Sequence, residues 1–244
     1  MKVWKRSLPV WLLTLVMLLT ACGTPSQPDQ PDGTETWREA YEETGAYLQA
    51  QTAPTAGSIG GEWAVIGLSR ARLLSDETAQ SYEQTVEDYV KQAGSVRLHH
   101  AKSTENSRTI LGLTAAGYNA ANVAGVDLTA GLTDMAYLRA QGTNGPIWAL
   151  IALDCHGYDI PQCADGEEQT TREGLVAEIL SYQCSDGGWA LMGDESDVDM
   201  TAMALTSLAP YQEETDVKAA VDAALVYLSD AQQEDGGFIS WGEP

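Results

Sequence analysis

Basic residues are scarce in this chain: 13 Lys and Arg stand against 35 Asp and Glu, a formal net charge of −22. A surface so acidic repels phosphate backbones and anionic lipid headgroups, so nucleic acid is not an expected partner, nor is a membrane held by charge. Phenylalanine occurs once in 244 residues, which argues against an aromatic-walled cavity of the kind that stabilises carbocations. The three histidines and four cysteines form no pair of clusters at metal-ligand spacing. Asp154-Cys155-His156 brings three ligand types together, but neighbours on a helix point about 100° apart, so no metal site is expected. Long apolar runs are also missing. The longest, Leu8 to Ala21, is shorter than the roughly 20 residues that span a bilayer.

That short run follows Lys2, Lys5 and Arg6, and a basic region leading into a brief apolar one is a secretory signal. Its end, Leu19-Thr20-Ala21-Cys22-Gly23, resembles the bacterial lipobox. The resemblance implies lipidation of Cys22, export, and attachment to the bacterial cell membrane through the lipid. Residues 1–21 are thus read as signal, and the Pro-rich polar stretch 22–34 as a flexible tether. Residues 35–244 form the folded part. In an exported chain a disulfide is permitted. Cys155 and Cys163 flank a short loop and could pair, while the odd number among Cys155, Cys163 and Cys184 leaves one over.

A repeat organises the folded part. An apolar pair followed shortly by Gln recurs at Tyr47, Tyr89, Tyr137, Ile179 and Tyr227, in steps of 42, 48, 42 and 48 residues. These segments are amphipathic: Tyr82, Val86, Tyr89 and Val90 make one stripe, and Val217, Val221, Leu225 and Leu228 another. Between them lie segments that are apolar nearly all round, beginning near Trp63, Thr109, Pro146 and Met200, with loops of Gly, Asn, Asp and Pro at the joins. Strand alternation is absent. Alternation of one-sided and fully buried helices predicts an all-α double layer, with an outer ring and an inner ring around a central cavity. An open solenoid of helical hairpins repeats at a similar length, but its paired helices contrast less.

The stretches Gln183-Cys184-Ser185-Asp186-Gly187-Gly188-Trp189 and Gln232-Gln233-Glu234-Asp235-Gly236-Gly237-Phe238 resemble the QW-type repeat of the squalene cyclase and protein prenyltransferase superfamily. Gln141 with Trp148 matches more loosely. The resemblance implies an (α/α) toroid over residues 35–244, in which the Gln ties an outer helix to the inner helix that follows. Asp197-Val198-Asp199-Met200-Thr201-Ala202 resembles the acidic box of proton-initiated terpene cyclases, which would make Asp199 the proton donor, although Met200 stands where that box has a further Asp. The same region is similar to toroid domains of exported proteins of Gram-positive gut bacteria, relatives of the cobalamin carriers intrinsic factor and transcobalamin. That likeness implies a binding role towards a small ligand such as a corrinoid, with Asp197, Asp199, Thr201 and Trp148 as ligand-facing residues. In the carriers a separate β domain supplies half of the site, and this sequence has none. Asp197 and Asp199 also have a plain reading as first-turn acids of a helix, capping it and favouring its dipole. Five outer segments against four inner ones lead to the expectation of an incomplete ring, closed by a missing domain or a partner chain, or acting as an extracellular scaffold.

Overall fold

The computed structural model describes residues 33–50 and 54–239. The expected signal segment, Cys22 and nearly all of the expected tether lie outside the described residues. Helices follow in the order α1 (Gly33–Ala50), α2 (Ile59–Arg70), α3 (Asp76–Ala93), α4 (Thr104–Ala115), α5 (Met135–Arg139), α6 (Asn144–Asp154), α7 (Arg172–Ser181), α8 (Val198–Leu208) and α9 (Thr215–Ala231). Short 3₁₀ turns occupy Leu128–Leu132 and Ala209–Tyr211. Among the described residues there is no strand, only isolated bridges such as Gln183 with Trp189 and Trp189 with Asp197. The protein is all-α.

The chain divides into two units, residues 1–47 and 48–244. In the first, the described residues belong to α1, which starts at Gly33 and so takes in the last two residues of the expected tether. Trp37 and Tyr41 sit edge to face on it, 6.4 Å between ring centroids.

In the second unit the apolar segments are α2, α4, α6 and α8, and they pack in succession, α2 on α4, α4 on α6, α6 on α8. The first two run parallel: Glu62 pairs with Arg108 near their starts, and Ser69 Oγ donates to the carbonyl of Ala115 at 2.6 Å at their ends. Further along, the ends of α4 and α6 meet through the hydroxyls of Thr114 and Tyr158, 2.8 Å apart. The amphipathic α7 packs on α6, and α9 packs on α8 and α7. Val65, Ile110, Leu113, Ile147, Leu150, Leu175 and Ile179 are fully buried, and each such side chain contributes about 1.5–3 kcal/mol. Close approach uses small residues: a Cβ at Gly112 would come within 2.4 Å of the Tyr82 hydroxyl.

Caps fix most helix starts. Ser58, Ser75 and Thr171 accept from the backbone of α2, α3 and α7, which supplies partners for first-turn N–H groups. Two boundaries and one stripe differ from the sequence pattern. The amphipathic segment ending at Tyr137 is helical for only five residues, because Asp134 caps it late and Gly142 follows at φ 60°. The apolar segment read from Thr109 begins at Thr104, where Gln141 Oε1 accepts from the Thr104 N–H at 2.9 Å and from the Ser103 hydroxyl at 3.1 Å. On α9 the stripe holds for Val217 and Val221, which are buried, and fails at Leu225, which is exposed.

Candidate functional site

Each of the four apolar helices has a second stripe in addition to the one in the core. Trp63, Ile66 and Arg70 on α2, Leu111 and Thr114 on α4, Trp148 and Ile151 on α6, and Met203 and Thr206 on α8 line one cavity of about 760 Å³, with Cys155 at the end of α6. The spacing is i, i+3 or i+4 on every helix, so one face of each looks into the same space. Trp63 and Trp148 meet edge to face across it, 5.4 Å between centroids at 62°.

The polar groups of the wall are largely occupied. Ser69 donates to Ala115 O, Thr114 donates to Ile110 O at 2.8 Å, and the Cys155 thiol donates to Ala152 O at 3.1 Å. Cys155 as a residue is exposed at the end of α6, while desolvation of its thiol raises the thiol pKa. Arg70 is the one charged group among the described lining residues. No carboxylate or imidazole is among them.

Beside the cavity, between α2 and α4, is a buried ion cluster. Glu62 is fully buried. Its Oε1 accepts from the Gly57 N–H at 2.7 Å, its Oε2 from Arg108 Nε at 3.2 Å, and Arg108 Nη2 also donates to Glu105 at 2.7 Å. Burial raises the Glu62 pKa, against the opposing pull of the Gly57 and Arg108 contacts. One of its oxygens ties α2 to α4 through Arg108 and the other holds the loop before α2 through Gly57, a structural task.

The residues singled out from sequence fall in three places. Trp148 lines the cavity. Asp197, Asp199 and Thr201 do not. Asp197 Oδ1 caps α8, accepting from the N–H groups of Asp199 and Met200 at 3.0 Å each, and Asp199 is exposed on the first turn. Thr201 is fully buried: it donates to Asp197 O at 2.7 Å and accepts from the Trp189 N–H at 2.9 Å. Its hydroxyl proton is thus spent inside the protein.

The repeat residues form turns. Trp189 is buried, its Nε1 donating to Ile179 O at 2.7 Å. Gln183 Nε2 donates to Gly187 O and to Ala220 O on α9, 2.8 Å each. The tie therefore runs to carbonyls of its own turn and of the next amphipathic helix, whereas the expected tie went to the start of an apolar helix. Gln141 does reach the start of an apolar helix, but of α4, which precedes it, and not of the one that follows.

Asp154, in the sequence that invited a metal, receives Arg172 on one oxygen and the Tyr211 hydroxyl on the other, both at 2.7 Å. Among the described residues no group of three or more His, Cys, Asp or Glu is placed to hold a metal ion. Cys155, Cys163 and Cys184 are free thiols. No helix among the described residues is long and apolar enough to cross a membrane.

Trp63, Ile66, Leu111, Ile151 and Met203 were not singled out from sequence. Trp63 and Trp148 are the aromatic residues of two apolar helices, and that pairing was the available signal. No protein-family model, curated protein or solved structure matches the chain.

Proposed function

We propose that residues 48–239 are a ligand-binding domain of the (α/α)-toroid type, with α2, α4, α6 and α8 as the inner layer and the cavity at Trp63 and Trp148 as the binding site. The observation that carries this is convergence: four successive apolar helices each give a second stripe to one cavity. Helices that served packing alone would have no reason to align those stripes. The ligand has a flat or apolar body that stacks on the Trp pair, with polar groups that reach Arg70 and Thr206 at the margin. A corrinoid, suggested by the likeness to cobalamin carriers, is the first candidate. On this reading the domain works outside the cytoplasmic membrane, tethered by a lipid on Cys22. The cyclase reading has no comparable support: alkene protonation needs an acid in a dry pocket, and Asp199 is exposed and away from the cavity wall.

The test is a titration with a corrinoid, followed by its visible spectrum and by tryptophan fluorescence. A saturable change at micromolar ligand is expected, weakened at least about tenfold by Trp63→Ala or Trp148→Ala, as for aromatic anchors elsewhere. Absence of any change would remove the corrinoid. Binding that ignores both substitutions would remove the cavity.

A further inference from the structure

Two turns of this chain are built alike, bond for bond, at a constant offset from Gln183 to Gln232. Gln183 Nε2 donates to Gly187 O at 2.8 Å, and Gln232 Nε2 to Gly236 O at 3.0 Å. The Cys184 N–H donates to Gly188 O and the Gly187 N–H to Cys184 O, at 2.9 and 3.0 Å. In the second turn Gln233 N–H donates to Gly237 O and Gly236 N–H to Gln233 O, at 2.8 and 2.9 Å. Asp186 and Asp235 each accept from the second glycine's N–H, at 3.1 and 2.9 Å.

What covers the two turns differs. The first is seated against α8 and α9: Thr201 takes the Trp189 N–H, Ala220 gives Gln183 a second acceptor, and a Cβ on Gly187 would lie 2.8 Å from Ala223 O. In the second turn, among the described residues, the Gln232 side chain bonds to Gly236 alone. The same offset carries Val176 to Leu225 and Trp189 to Phe238. The first pair member is buried in each case, at 4% and 0% exposure, while Leu225 is 54% and Phe238 43% exposed. The second repeat thus keeps the apolar residues and the turn geometry of the first without the cover that they serve. Large apolar side chains left exposed at positions that are covered in the sister repeat point to an interaction surface.

We propose that the turn at 232–238, with the Leu225 face of α9, is a docking surface for one further helix pair of this same repeat. The first helix of that pair starts with a capping Asp and has a Thr four residues on, as Asp197 and Thr201 do, and its Thr hydroxyl accepts from the Phe238 N–H. The second helix is lined with small residues and offers a main-chain carbonyl to the second N–H of the Gln232 amide, as Ala220 does for Gln183. A second copy of this chain does not fit the description. Its one helix with that cap, α8, and the α9 that follows are already seated on its own first turn.

Phe238 is the sole phenylalanine, so 4-fluorophenylalanine labels this position alone. The experiment inserts a copy of residues 190–231, which contains no Phe, directly after Phe238, in register with the first repeat. The fluorine signal is then compared in H₂O and D₂O. In the unextended chain the expected result is a clear solvent shift. In the extended chain the expected result is loss of that shift, together with a gain in helical circular dichroism, and its partial return on Gln232→Ala. Persistent exposure of Phe238 in the extended chain, or an insert that adds no helix, overturns the proposal. So does equal burial when the Asp and Thr of the inserted cap are both changed to Ala, since any apolar cover would then do. Concentration-dependent burial in the unextended chain would assign the surface to a second copy and overturn it as well.

Discussion

The turns at 183–189 and 232–238 share their internal hydrogen bonds and have left-handed glycines at φ 94° and 87°, yet the glycines and the aromatic ring of the first are buried and those of the second exposed. Their shared geometry is local. A Gln amide, an Asp carboxylate and a glycine able to adopt positive φ are enough to close the turn wherever they occur together. Their energetic worth is not local, because it depends on the helices that pack over them. The difference separates what a turn specifies by itself from what it contributes once covered, and paired substitutions at equivalent positions measure that difference.

The largest effect is expected at the aromatic position. Trp189→Ala removes a fully buried side chain and leaves the carbonyl of Ile179 without its Nε1 donor, so the loss should be about 3–5 kcal/mol. Phe238→Ala removes a ring that is partly in water and should cost less than about 1 kcal/mol. Urea denaturation of both variants checks this. Similar losses at the two positions would mean that Phe238 is covered in solution.

A smaller contrast is expected at the glycines. Alanine at either Gly187 or Gly236 must adopt a left-handed backbone, at about 1–2 kcal/mol. At Gly187 the new methyl also meets the main chain of Ala223, while at Gly236 its nearest neighbour is the Gln232 side chain at 3.9 Å. Gly187→Ala should therefore lower the thermal midpoint further than Gly236→Ala, by the cost of moving α9. Equal shifts would show that backbone strain alone decides both positions.

Much of this arrangement was legible in the sequence, for reasons that are themselves local. Helical periodicity and the contrast between apolar and amphipathic segments marked the helices, and Gly-Gly with a following aromatic marked both turns. Which face of an apolar helix meets the core and which meets a cavity was not legible: Ile110 and Leu111 are adjacent and alike in character, yet the first is in the core and the second lines the cavity. The role of Thr201 was hidden because its partner, the Trp189 N–H, is brought there by a bend that no periodicity reports. The exposure of Leu225 was hidden for the same reason, since a stripe shows that a face can be buried and cannot show what covers it. Asp199 looked chemical because Asp197 to Ala202 resembles the acidic box of proton-initiated cyclases. Its neighbour Asp197 does the capping, and Asp199 takes a first-turn place that the helix dipole favours.

The smallest contrast is also the most specific. Gln183 Nε2 has two carbonyl acceptors, one in its turn and one on α9, whereas among the described residues Gln232 Nε2 has the first alone. Each hydrogen bond contributes about 0.5–1.5 kcal/mol net, and leaving a part-buried carbonyl without its donor costs a similar amount. Gln183→Ala should therefore destabilise by about 1–2 kcal/mol, and Gln232→Ala by a few tenths, because water replaces the lost donor at an exposed turn. Amide hydrogen exchange distinguishes the causes. Loss of the α9 contact should raise exchange along α9 in Gln183→Ala, while Gln232→Ala should affect only residues 233–238. If α9 exchanges no faster in Gln183→Ala, the bond to Ala220 contributes nothing to seating it, and the contrast between the two turns rests on apolar cover alone.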